Sequence, residues 1–131
     1  MNVKRTIVTM LLLISMAGAA SAAEPSWYWL MQDKAGNQIY IDNNNVHKTP
    51  YLSVVWIKEV YPTGRYMLSQ FRIYRNGILD WMFATIRDSQ GHYVSEFHPG
   101  AKYQHTTIVP GSIFEVLYYA CYGTLVSNNY R

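Results

Sequence analysis

Asn76-Gly77 lies between two long runs of alternating residues, and no other feature constrains this chain as much. The pair suits a tight hairpin turn of type I′, which needs positive φ at both central positions. The flanking runs, Arg65–Arg75 and Ile78–Arg87, are then expected to be neighbouring antiparallel strands. Met67, Phe71 and Ile73 would share one face of the first, with Tyr66, Leu68 and Tyr74 on the other. In the second run, Trp81 and Phe83 alternate against Met82.

Turn-forming clusters divide the rest of the chain in the same way. Asp33-Lys34-Ala35-Gly36-Asn37, Asn43-Asn44-Asn45, Pro62-Thr63-Gly64 and Asp88-Ser89-Gln90-Gly91 are such breaks. Between them, Trp27–Met31, Gln38–Asp42, Tyr51–Tyr61 and His92–Phe97 read as further strands. Along Tyr51–Tyr61, Leu52, Val54, Trp56, Lys58 and Val60 oppose Tyr51, Ser53, Val55, Ile57 and Glu59.

One helix follows the strands. Ser112-Ile113-Phe114-Glu115 has the spacing of a capping box, in which the Ser hydroxyl accepts from the Glu amide and the Glu side chain reaches back. Ile113, Val116, Leu117, Ala120 and Cys121 then form an apolar stripe, and Gly123 suits a left-handed C-cap. A stripe of this kind must lie on a sheet. The expected fold is therefore α+β, an antiparallel sheet of five or six strands covered by one C-terminal helix.

Residues 1–22 are expected to lie outside that fold. Lys4 and Arg5 precede an apolar run from Ile7 to Ala17, and Ala20-Ser21-Ala22-Ala23 offers small-x-small cleavage sites, the layout of a secretory signal peptide. The run is short for a membrane span, so residues 23–131 are expected as one exported domain without a transmembrane segment. Removing the leader takes Lys4 and Arg5 with it and lowers the net charge from +3 to about +1. The remaining cations are scattered, which argues against nucleic acid as a partner.

Chemistry-bearing motifs are sparse. His98 and His105 share a loop at a spacing that matches no common zinc signature. Asp42, Glu59, Asp80, Asp88, Glu96 and Glu115 show no paired-carboxylate spacing, and Ser112 lacks the glycines of a nucleophile elbow. We expect no enzyme, no cofactor and no metal. Cys121, the one Cys, falls on the apolar stripe and is expected to be a buried, reduced thiol. Twelve Tyr and four Trp in 131 residues exceed what one buried face can absorb. Tyr51, Trp56 and Trp81 are therefore candidates for a binding surface.

The order of these segments resembles the surface-adhesin protein E family of Gram-negative bacteria. The matching pieces are an early Trp (Trp27 or Trp29), Ile39-Tyr40-Ile41-Asp42, Val55-Trp56-Ile57-Lys58, a long hairpin closing on Asp88-Ser89-Gln90-Gly91, the Ile108-Val109-Pro110-Gly111-Ser112 approach to the helix, and Cys121. The resemblance implies a small antiparallel sheet with a C-terminal helix, exported to the periplasm or cell surface. It also implies adhesion to host extracellular-matrix and serum proteins, and homodimers. Members commonly carry a second Cys on a central strand that ties the helix to the sheet, and this chain has none. The expected function is non-enzymatic binding of a protein partner. A periplasmic inhibitor or accessory subunit, or a haem or small-ligand binder, is the alternative.

Overall fold

In the computed structural model, which describes residues 23–123, alternating runs become one antiparallel sheet. The leader read at 1–22 and the last residues of the expected domain, 124–131, lie outside the described residues. The strands are β1 (Trp27–Gln32), β2 (Gln38–Asp42), β3 (His47–Lys48), β4 (Leu52–Val60), β5 (Tyr66–Tyr74), β6 (Ile78–Arg87), β7 (Tyr93–Phe97) and β8 (Thr106–Thr107). Six follow one another across the sheet in the order β1-β2-β4-β5-β6-β7. The short β3 shares an edge of β4 with β2, and β8 shares an edge of β6 with β7. One helix, α1 (Ile113–Tyr122), closes the described part and covers one face. The α+β plan is as expected.

The hairpin at Asn76-Gly77 forms, but not as a type I′ turn. Gly77 has φ of 85°, whereas Asn76 stays at negative φ. The Gly77 amide donates to the Tyr74 carbonyl at 3.0 Å, so Arg75 and Asn76 are the central residues and Gly77 follows in the left-handed region. A three-residue loop of this form matches the twist of its flanking strands as well as the primed turns do. The turns ending at Gly36, Gly64 and Gly91 repeat the same bond to the residue three positions earlier.

The core lies between the sheet and α1. Ile39 and Ile41, Val55 and Ile57, Phe71 and Ile73, and Leu79 point from four neighbouring strands at Leu117, Tyr118 and Cys121. On β4 the two expected sets do alternate, and Ser53, Val55 and Ile57 are the buried members.

Two features depart from the expected pattern. In β6, Gln70 of β5 stands opposite Phe83 while Phe71 stands opposite Trp81, so Met82 is an extra, bulged residue. Trp81 and Phe83 therefore lie on opposite faces instead of sharing one. In α1 the expected Ile113, Leu117 and Cys121 do meet the core, but the stripe is broader than expected and takes in Phe114, Tyr118 and Tyr122. Phe114, Leu117, Tyr118, Cys121 and Tyr122 face the sheet, while Ala120 is exposed. The cause is the tyrosines. The Tyr118 hydroxyl donates to the Arg75 carbonyl and the Tyr122 hydroxyl to the Ile73 carbonyl, both at 2.6 Å. With its polar tip bonded, a Tyr ring can be buried completely.

Candidate functional site

The other face of the sheet carries no helix. Directly opposed residues share a face in antiparallel pairing, so the register identifies its members. Trp56 opposes Gln70, which opposes Phe83; Lys58 opposes Tyr40 on one side and Leu68 on the other; Val60 opposes Tyr66; Trp29 opposes Tyr40. Trp56 meets Phe83 edge to face, with ring centroids 6.5 Å apart. The Lys58 ammonium lies 5.5 Å from the Trp27 ring and 4.8 Å from the Tyr66 ring, so its charge is held between two aromatic faces. Trp56, Tyr66 and Phe83 are half-buried, and Trp29 is 52% exposed.

The N-terminal segment 23–26 rims this face. Asp42, buried opposite Trp27, accepts from the Ser26 amide at 2.9 Å, the Asn44 amide at 3.0 Å and Asn45 Nδ2 at 2.7 Å. Asn45 Nδ2 also donates to the Ala23 carbonyl at 2.9 Å. Between this rim and the sheet lies an apolar hollow of about 400 Å³, bounded by Pro25, Trp27, Trp56 and Leu68.

The three aromatics nominated from the sequence do not converge. Trp56 is central to the uncovered face. Tyr51 is 78% exposed beyond the start of β4, bordering a separate hollow with Tyr74 and Arg75. Trp81 is displaced to the helix-covered face by the Met82 bulge, stacked on Phe71 at 5.7 Å and packed against Phe97 and Tyr103. It is a core-side residue and does not share the uncovered face with Trp56.

The capping box is not made. Ser112 occupies the N-cap position with extended backbone, and its carbonyl accepts from the Glu115 amide, but its hydroxyl makes no cap bond. Ser112 Oγ and Glu115 Oε2 are buried without partners. The first turn is drawn toward Phe71 and Trp81 through Phe114, so packing rather than capping sets where it starts. At the other end, Gly123 adopts the left-handed conformation and donates to the Tyr119 carbonyl at 2.7 Å. Cys121 is buried and free, and loss of solvent pushes its thiol pKa up to about 11, against smaller lowering effects of Lys48 and Ser53.

Sequence reasoning missed the two buried carboxylates. Asp80 accepts from the His105 amide at 2.6 Å and the Tyr74 hydroxyl at 3.0 Å, and the His105 ring stands 3.4 Å away. His105 is the one non-glycine with positive φ among the described residues, so Asp80 holds a strained loop residue in place. Asp42 and Asp80 thus each fasten a loop by its backbone. His92 pairs with Asp88 and His98 with Glu96, both exposed. Among the described residues, no three His, Cys, Asp or Glu side chains come together as a metal site would require, and no helix is long and apolar enough to cross a membrane.

No protein-family model, curated protein or solved structure matches the chain.

Proposed function

We propose that this chain is an exported, non-enzymatic binding protein of the surface-adhesin protein E type, engaging a protein partner through the uncovered face of its sheet. The carrying observation is the aromatic surface around Trp56. A two-layer fold has one sheet face left over, and here that face presents Trp29, Tyr40, Trp56, Tyr66 and Phe83, with Lys58 held between the Trp27 and Tyr66 rings. Aromatic residues and Arg are enriched at the centres of protein interfaces, and Arg72 and Arg87 lie on this same face. The buried carboxylates Asp42 and Asp80 are engaged by loop amides, which gives each a structural role. Two segments that carry the family resemblance are paired neighbours, Tyr40 opposite Lys58 and Ile41 opposite Ile57, and both contribute to this face or to the core beneath it. The leader read at 1–22 supports export to the periplasm or cell surface of a Gram-negative bacterium. Host extracellular-matrix protein is the proposed partner class, and a homodimer the proposed assembly.

The test is biosensor binding of the purified protein to immobilised matrix and serum proteins, beside a Trp56→Asp variant whose folding is verified by circular dichroism. Saturable binding that falls at least about tenfold in the variant is expected, because a central aromatic anchor is replaced by a charge. Failure of the wild type to bind any of them, or unchanged binding by the variant, overturns the reading.

A further inference from the structure

We propose that the outer edge of β1 pairs with β1 of a second copy of this chain, antiparallel and centred on Tyr28. The assignment rests on the homodimer reading above but not on the choice of a matrix partner. β1 and β7 are the two ends of the sheet. An edge strand exposes a row of backbone donors and acceptors, which folded proteins ordinarily blunt with charge, Pro, a bulge or a covering segment. β7 is blunted by Glu96 and by a bulge at Val94. β1 reads Trp-Tyr-Trp-Leu-Met-Gln, with no charge and no Pro, and its bulge comes only at Leu30. Among the described residues, β2 is the one strand that pairs with it.

The ladder with β2 identifies which backbone groups of β1 point outward. The Asn43 amide donates to the Ser26 carbonyl at 2.9 Å, which makes Ser26 and Asn43 a bonded pair. Bonded and non-bonded pairs alternate along an antiparallel ladder. Tyr28 and Ile41 are therefore bonded next, while Trp27 and Trp29, opposite Asp42 and Tyr40, are not. The N–H and C=O groups of Trp27 and Trp29 point away from β2, along the open edge. A second β1 laid antiparallel offers the same two residues in reverse order. With Tyr28 on the two-fold axis, Trp27 of one copy faces Trp29 of the other, and each such pair exchanges both N–H···O bonds. A two-fold dimer needs one self-complementary patch, and this edge is one.

The side chains agree with that register. Tyr28, opposite Ile41 on the helix-covered side, is 60% exposed, and Trp29 on the other side is 52% exposed. The edge is thus aromatic on both faces, and a paired strand covers both at once. On the axis the two Tyr28 rings oppose each other in a non-bonded pair, the closer of the two kinds. On the uncovered face Trp27 meets Trp29 of the other copy, a cross-strand aromatic pair of the stabilising type. No like charges meet, because β1 has none. Pro25 and the Leu30 bulge bound the pairing on either side, so the contact is short. A contact of that size is a weak one. It also joins the uncovered faces of the two copies into one continuous surface.

The experiment is sedimentation equilibrium of the full purified protein and of variants checked for cooperative thermal unfolding. Between about 5 and 300 µM the wild type should pass from monomer to dimer. Tyr28→Lys places like charges on the axis, and Tyr28→Glu does so with the opposite sign. Tyr28 is exposed, so neither change disturbs the core. Each variant alone should lose at least about tenfold in dimer affinity. An equimolar mixture of the two should recover most of that loss, because residue 28 meets its own counterpart only in this register. Trp29→Pro removes an outward N–H that the β2 ladder does not use. It should weaken the dimer more than Trp29→Thr, which keeps that N–H. A dimer that neither the Tyr28 variants nor Trp29→Pro weaken overturns the β1 edge and leaves the homodimer standing. Failure of the mixture to recover the dimer overturns the Tyr28-centred register. A wild type that stays monomeric throughout overturns the homodimer reading as well, while matrix binding is judged separately by the Trp56→Asp experiment.

Discussion

Ser112 Oγ is buried beside the helix it would ordinarily cap, with nothing to bond. Removing a working N-cap costs about 1 kcal/mol. Removing an unpaired buried hydroxyl costs nothing of that kind and relieves a desolvation penalty. Ser112→Ala should therefore leave the denaturant midpoint of the unliganded protein within about 0.5 kcal/mol of wild type, or raise it. Glu59 offers a second residue-level test. Burial, and next the charge of Asp33, push its carboxyl above the usual range, with an opposing bond from Asn37 Nδ2 at 3.2 Å. A carboxyl raised in the folded state favours folding fully below its unfolded pKa and loses that contribution as pH rises through the folded value. Glu59→Gln should thus raise the unfolding free energy at pH 7, by less than about 1 kcal/mol since solvent screens a half-exposed pair, and leave it unchanged near pH 3, as urea titration at the two pH values would read. Asp33 runs the other way, held below its usual range first by the Asn37 amide, so its contribution disappears on acidification. None of this was legible in the residues alone. Asp42 and Asp80 bond amides 16 and 25 positions away, and no local spacing marks such partners.

Elements were more legible, because their signals are local. Strand alternation and Gly-terminated turns identified the long hairpins, and Gly123 closed the helix where expected. The misses have physical causes. A bulge adds a residue without any composition signal, and Tyr can serve as a polar surface residue or as a core residue with its hydroxyl bonded. Both causes yield tests. Deleting Met82 removes the extra residue and leaves Trp81 and Phe83 adjacent, still on opposite faces and still opposite Phe71 and Gln70. Cooperative thermal unfolding is therefore expected to survive the deletion, and its loss would show that the bulge itself is needed for the fold. Tyr118→Phe keeps the ring but leaves the Arg75 carbonyl without that donor, so destabilisation of about 1–2 kcal/mol by urea titration is expected.

At the scale of the whole molecule, Cys121 reports on global opening. It is 3% exposed beneath the helix, and its thiol pKa near 11 leaves almost no thiolate at neutral pH. Labelling by iodoacetamide at pH 7.5 should stay negligible over an hour without denaturant and reach completion above the unfolding midpoint. Fast labelling of the native protein would mean that α1 detaches on its own. The two-layer architecture was readable from the sequence because one stripe needs one sheet. Which rings occupy the leftover face was not, since that depends on register across five strands.

The way α1 is fastened has a further consequence. Its latches are two tyrosyl hydroxyls on the carbonyls of Ile73 and Arg75, and the lone thiol beneath them is bonded to nothing covalently. A latch made of hydroxyls is blind to redox poise, so this domain should close equally well in a reducing cytosol and in an oxidising compartment, needing no thiol oxidase. Alkali is the condition that would open it. Burial pushes the Tyr122 hydroxyl above the ordinary phenol range, which keeps the latch protonated at any pH a cell provides.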